Sequence, residues 1–256
     1  MTDKLLLSRR KLIGGLGVGA GGLILSGCDA LGANEGFRSV LRSGEDLTYR
    51  AQRLVSDRNA LAKEFEEADM SPLFRANGNI MPASTDYAAH LATNFADWRL
   101  VVDGLVARPL SVPLAALMAM PQRSQITRHD CVEGWSAIGK WQGPNLSHIL
   151  SLARLLPSAR YIVFHCADSF GSHPYYESID LVDALHPQSI LAWRMNDAAL
   201  PVAHGAPIRL RVERQLGYKQ AKYVMRIEAR ERIDTLYRGK GGFWEDDVGY
   251  QWYAGI

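Results

Sequence analysis

Arg128-His129-Asp130-Cys131-Val132-Glu133-Gly134-Trp135-Ser136, followed by Lys140-Trp141-Gln142-Gly143-Pro144, is the stretch around which the chain is organised. A strand-like run, Ser124 to Asp130, delivers one cysteine; a Gly-Trp-Ser turn follows, and a Trp-x-Gly then opens a helix. A thiol set between backbone-permissive residues and two large aromatics suits a held, shielded ligand. It equally suits a buried structural cysteine, because free cysteine is among the most buried residue types. Spacing alone leaves both readings open.

Outward from that stretch, 256 residues hold one substantial domain or two small ones, with ordinary globular values of 47% hydrophobic and 22% charged residues. The formal net charge of +2 is concentrated at the start, where Lys4, Arg9, Arg10 and Lys11 face only Asp3. The rest of the chain is close to neutral, which argues against nucleic acid as a partner. Cys28, Cys131 and Cys166 stand far apart, without zinc-type spacing and too few for a disulfide framework.

Ser8-Arg9-Arg10-Lys11-Leu12-Ile13 resembles a twin-arginine export motif, and the charge-free run Leu12 to Gly27 behind it matches the apolar region of a signal. That run is shorter than the ~20 residues of a spanning helix. Leu25-Ser26-Gly27-Cys28 resembles a lipobox, which makes Cys28 a candidate lipid anchor; ordinary signal cleavage nearby is the alternative. Residues 1–28 therefore read as a twin-arginine signal with lipobox, 29–70 as a tether and a surface helix, and 71–256 as the functional domain. The twin-arginine route carries folded cargo, typically loaded with a complex cofactor before export.

Within 29–70, Leu47, Ala51, Leu54 and Val55 predict a helix over 45–57 with Ser43 as its N-cap, and the charged run 63–69 reads as solvated. Pro72 and Gly78 mark 71–79 as a loop, in which Arg75 and Asn77 are candidates to grip an anion. Strands are predicted at 98–106, 124–130, 161–166, 175–179, 189–195, 207–212 and 223–229. Helices are predicted at 113–120, 145–156 (stopped by Pro157) and 181–185. In 207–212, Ile208, Leu210 and Val212 alternate inward with arginines outward. Strands and helices mix without strict βαβ alternation, so the fold class is α+β. The chain has no dinucleotide fingerprint, P-loop, HExxH, haem-attachment C-x-x-C-H or G-x-S-x-G elbow.

Cys131-Val-Glu-Gly-Trp-Ser with Trp141-x-Gly after it resembles the molybdopterin-binding core of the sulfite oxidase family. Within that family the chain is most similar to the haem-free, exported bacterial branch that includes periplasmic methionine-sulfoxide reductases. The resemblance runs from about Phe74 to Glu228 and implies a mixed-sheet, sulfite-oxidase-type molybdopterin domain. It makes Cys131 the molybdenum ligand and the catalytic centre, where a soft thiolate suits a sulfur-rich site. His204-Gly-Ala-Pro-Ile-Arg209 resembles the family's pterin-phosphate clamp, and Gly217-Tyr-Lys-Gln220-Ala221-Lys222 resembles the loop that closes over the phosphate. Arg75 and Asn77 match the loop on the cofactor's other side. Cys166 falls where the reductase branch carries a cofactor-contacting threonine. His129, Asp130 and Glu133 flank the ligand as candidate proton carriers, and Trp135 and Trp141 read as packing that shields the metal.

The resemblance implies a monomeric periplasmic oxidoreductase with a molybdenum-molybdopterin cofactor, transferring an oxygen atom in sulfoxide reduction or sulfite-type oxidation. With no haem of its own, it would exchange electrons with a membrane haem protein or a soluble cytochrome. A lipoprotein binding module that keeps the fold without redox chemistry is the alternative from another class.

Overall fold

The computed structural model describes residues 34–256, and the chain divides into two compact units, Met1–Val55 and Ser56–Ile256. The signal motif and Cys28 lie outside the described residues. In the first unit one helix, α1 (Glu35–Val55), is longer than the apolar spacing predicts. It starts at Asn34, whose Oδ1 accepts the Phe37 N–H at 3.0 Å, the bond of an N-cap. Ser43 is not a cap. It lies inside the helix, its Oγ donating to the Val40 carbonyl at 2.6 Å, so the turn expected there is not made. Among the described residues no helix is long and apolar enough to cross a membrane.

The second unit is mixed α+β. Its main sheet runs β2 (Leu110–Pro113), β1 (Arg99–Gly104), β11 (Val224–Arg230), β5 (Tyr161–Phe170), β6 (His173–Asp180). The β1–β11 pair is parallel and the others are antiparallel. In β1 only Leu100 and Val102 turn inward, the period-2 pattern of a strand with one wet face. Helix α4 (Leu146–Ala153) buries Leu146, Ile149, Leu150 and Ala153 in the same core. It ends at Arg154, which takes a left-handed conformation (φ 58°), before Pro157 is reached.

A second, antiparallel sheet orders β3 (Gln122–Asp130), β4 (Ser136–Pro144), β8 (Arg194–Met195) and β9 (Ala198–Ala199). The Trp141-x-Gly143 element is strand rather than helix start: it completes β4, and α4 begins only at Leu146. Gly143 is needed there because a Cβ would lie 2.0 Å from the Leu191 carbonyl oxygen. Leu191 belongs to β7 (Ile190–Ala192), which pairs with β10 (Arg209–Arg211). The expected strand 189–195 is thus two short ones, β7 and β8, broken at Trp193, whose N–H turns to the Gln142 carbonyl.

The alternation read in 207–212 fails. All three residues of β10 are buried, both arginines included, because partners on two sides compensate them. Arg211 forks onto Glu213 (Nη2–Oε2 2.5 Å) and reaches His129 Nδ1 at 3.1 Å. The Trp141 ring carries both guanidinium carbons, Arg211 at 4.3 Å and Arg209 at 5.1 Å from its centroid. The charged run 63–69 is mostly exposed yet held: Phe65 N donates to the Ile126 carbonyl at 2.9 Å, and Glu64 bridges to Thr127 on β3. The aromatic tail packs back on the domain, Trp252 Nε1 donating to Ser178 Oγ at 2.8 Å.

Candidate molybdopterin site

A cavity of about 210 Å³ opens where the β3–β4 turn, the 71–80 loop, the end of β5 and the 201–222 segment converge. Cys131 is the first residue of the β3–β4 turn. Its N–H donates to the Trp135 carbonyl at 2.9 Å and its carbonyl accepts from Gly134 N at 3.0 Å, a tight loop that puts Gly134 at φ +85°. That conformation suits glycine and strains any residue with a Cβ. The turn leaves Sγ facing the cavity, with the residue 8% exposed.

Asn77 holds the sulfur. Its Oδ1 accepts from Gly78 N at 2.7 Å, which orients the amide so that Nδ2 reaches Cys131 Sγ at 2.9 Å. Burial raises the thiol pKa, and this amide contact partly offsets it. A soft metal at the sulfur would displace the proton outright. Phe74 forms the adjoining wall. Its ring lies 5.3 Å from Trp141, 5.6 Å from His129 and 5.8 Å from His204, centroid to centroid, so one side chain fixes three walls.

The cavity also holds two cations, Arg209 and Lys222. Arg209 is buried; its two Nη atoms donate to the His204 and Gln220 carbonyls at 3.1 Å, while Nε has no partner. Lys222 donates to the carbonyls of Asn77 (2.7 Å), Ala203 (3.1 Å) and Asn79. Among the described residues neither cation forms an ion pair with a carboxylate. Burial and Arg211 press Arg209 down to about 9, and burial and Arg209 press Lys222 down to about 8. Burial, Arg209 and Lys222 hold His204 near 4. Asp168 offsets Lys222 and Glu213 offsets Arg209 only in part, and an anion in the cavity reduces the remaining cost of burying both charges.

Of the residues singled out by sequence, Cys131, Arg75, Asn77, His204, Arg209, Gln220 and Lys222 line the cavity. Cys166 and Ala221 do not. Cys166 packs against the main core with its sulfur nearest the Phe164 carbonyl, and Ala221 is buried, its carbonyl taken by Leu210 N. The strand end that carries Cys166 instead supplies Asp168, two residues on across a β-bulge. Asp168 is buried with Oδ1 unpartnered, and Asn79 Nδ2 touches Oδ2 at 3.3 Å. Burial lifts its carboxyl to about 6. Sequence reasoning passed over it, because the register shift between His165 and Ser169 breaks the strand alternation that would have placed it. His129, named as a proton carrier, is buried, and burial and Arg211 push its pKa far down, so it stands neutral. Tyr175 from the 173–180 strand, Tyr218 from the 217–222 loop, and Trp244 and Tyr250 from the tail also line the cavity.

Among the described residues no three His, Cys, Asp or Glu side chains are grouped to hold a bare metal ion. The cavity therefore suits a metal that arrives with most of its own ligands: it offers one thiolate, and two cations outside ion pairs for an anionic group.

Comparison with known proteins agrees. The sequence profile described as the oxidoreductase molybdopterin binding domain matches residues 88–237. The chain is 36% identical over 252 residues (97% of it, 86% of the relative) to a putative protein-methionine-sulfoxide reductase subunit, YedZ1, of Azospira oryzae. It is 29% identical over 242 residues (88% of it, 74% of the relative) to the protein-methionine-sulfoxide reductase catalytic subunit MsrP of Campylobacter jejuni. Among solved structures, sulfane dehydrogenase SoxCD from Paracoccus pantotrophus aligns with a TM-score of 0.53 at 22% identity. That alignment covers 60% of this chain and 42% of the other, a likeness of fold alone.

Proposed function

Because the chain belongs to the molybdopterin-binding oxidoreductase family, we propose that its molybdenum-molybdopterin cofactor sits in this cavity with Cys131 as the protein's ligand to the metal, and that the enzyme reduces sulfoxides outside the cytoplasm. The observation that carries the placement is that Arg209 and Lys222, neither within ion-pair distance of a carboxylate, share one cavity with the Cys131 sulfur. When bound, the cofactor supplies two-electron oxygen-atom transfer at the metal.

The chain's own residues divide the remaining tasks. Arg209, His204, Gln220 and Lys222 surround the anionic end; Lys222 acts there through its charge, since its three N–H bonds already tie the 71–80 loop to residue 203. Asn77 orients the thiolate and Phe74 excludes water from it. Asp168, which burial lifts to about 6 and whose Oδ1 has no partner, is the carboxyl in the cavity that could hold and release a proton. Arg75, exposed at the mouth, meets what enters. Sulfoxide reduction is favoured over sulfite-type oxidation because both curated relatives carry that activity in their names.

The twin-arginine motif and lipobox support export after folding, with Cys28 as a periplasmic lipid anchor. The lack of a haem motif supports a separate electron donor, a membrane haem protein or a soluble cytochrome. The test is elemental analysis of the folded chain, paired with dye-driven reduction of methionine sulfoxide. About one molybdenum per chain with turnover supports the reading; molybdenum-free protein with thiol-dependent activity overturns it.

Two further outcomes follow from the two cations. Arg209→Met lowers cofactor retention about 10–100-fold, the worth of a charge-assisted hydrogen bond to phosphate, measured as pterin released on desalting. In cofactor-free protein, affinity for inorganic phosphate falls as pH rises through about 8, where Lys222 loses its proton. Calorimetric titration across that window checks this, and an unchanged affinity would remove Lys222 from the anion site.

A further inference from the structure

Helix α1 has a face that the cavity chemistry does not use. On a helix of 3.6 residues per turn, Phe37, Val40, Leu41, Gly44, Leu47, Ala51, Leu54 and Val55 fall on one stripe. Arg38, Glu45, Asp46, Arg50 and Arg53 fall on the other side, and no charged residue interrupts the stripe. The large apolar members are exposed: Val40 by 67%, Leu47 by 66%, Leu54 by 86% and Val55 by 82%. An exposed apolar stripe running from Phe37 to Val55, with Thr48 as a polar member and charges confined to the opposite face, is the make-up of a helix that lies in a membrane–water interface.

The covalent chain says which surface is within reach. Asn34, at the start of α1, is six residues from Cys28. Fully extended, that length spans at most about 21 Å. A lipid on Cys28 therefore leaves α1 no room to stand far from the bilayer. We propose that the apolar stripe of α1 lies in the lipid headgroup region, making the helix a second membrane contact that joins anchor to enzyme. The inference rests on the anchor reading of Cys28 only for bringing the helix to the surface, and its test is built without that lipid.

The full chain is made with Cys28→Ser and an environment-sensitive fluorescent amino acid in place of Leu47, on the stripe, or of Asp46, on the opposite face. Protein-free vesicles of phosphatidylethanolamine and phosphatidylglycerol are then added. Emission at 47 shifts to shorter wavelength and is quenched by acyl-chain spin labels, while emission at 46 does neither. Leu54→Glu in the same chain abolishes the shift at 47. No shift at 47, or equal shifts at 46 and 47, overturns the proposal. So does a shift seen only with native membranes, which would make the occupant a membrane protein. Mass spectrometry of Cys28 in the exported chain tests the anchor separately, and an unmodified Cys28 leaves the vesicle result standing.

Discussion

Cys131→Ala is expected to abolish the proposed sulfoxide reduction while leaving the domain folded. The two halves of that outcome have separate physical grounds. The turn that carries Cys131 is made by backbone bonds, its N–H to the Trp135 carbonyl and its carbonyl from Gly134, and alanine keeps both. What is lost is one sulfur contacted by the Asn77 amide, and removing so small a side chain beside a cavity costs about 1 kcal/mol. The unfolding midpoint therefore moves little. Activity falls to background because no other thiol takes its place: Cys166 does not line the cavity. Cys131→Ser separates ligation from packing, since a hydroxyl of similar size is a hard donor that stays protonated. The measurement is molybdenum content and turnover beside a melting curve for each variant. Wild-type turnover in either would disqualify Cys131 as the ligand, and loss of the folded transition in both would make it a structural cysteine.

The sequence made the cysteine's turn legible because its signal is local: a strand, a glycine that must take positive φ, and aromatics at fixed distance. The 204–209 and 217–222 segments, which supply cavity-lining residues, were legible in the same way, as short motifs. Whatever depended on pairing between distant segments was not. The arginines of 207–212 look solvent-facing in an alternating strand, yet β10 is covered on both sides, and Glu213, His129 and Trp141 make burial tolerable. Trp141-x-Gly looks like a helix opening because glycine before proline punctuates a chain. Here the glycine admits the Leu191 backbone, a contact with a residue about fifty positions away. Asp168 was missed because a β-bulge changes which residue after Cys166 faces inward. The two lysines of Gly217-x-Lys-x-x-Lys222 look alike in sequence and part in space. Lys222 faces the cavity, while Lys219 points into the core behind it.

That buried lysine carries a large stability effect: Lys219→Met is expected to destabilise the domain by about 3–5 kcal/mol. Lys219 Nζ meets Glu177 on β6 and, at 2.6 Å, Glu245 on α6 (Phe243–Val248), and all three side chains are 0% exposed. Burial pulls the lysine pKa down, but the two carboxylates outweigh it and leave it raised, so the ammonium is charged. One cation then serves two carboxylates. Burial, and next the charge of Glu245, push Glu177 well above the usual carboxylate range, and the cluster retains a proton that the unfolded chain would release. Removing the lysine strands two buried carboxyl groups, each already with one oxygen lacking a partner. Removing one glutamate relieves a like-charge contact instead. Glu177→Gln is therefore expected to change stability far less than Lys219→Met despite sitting in the same cluster. The pH dependence separates them further. A carboxyl whose folded pKa is raised contributes stability that is complete below its unfolded pKa, near 4.5, and is lost as pH rises towards the folded value. Glu177→Gln removes that fall. Urea midpoints of the three proteins from about pH 4 to 8 decide the matter. Equal losses for both variants would show that the cluster is held by packing alone. A large loss confined to Lys219→Met, with cofactor retention falling alongside, would show that the 217–222 loop is pinned to the core through this one ammonium.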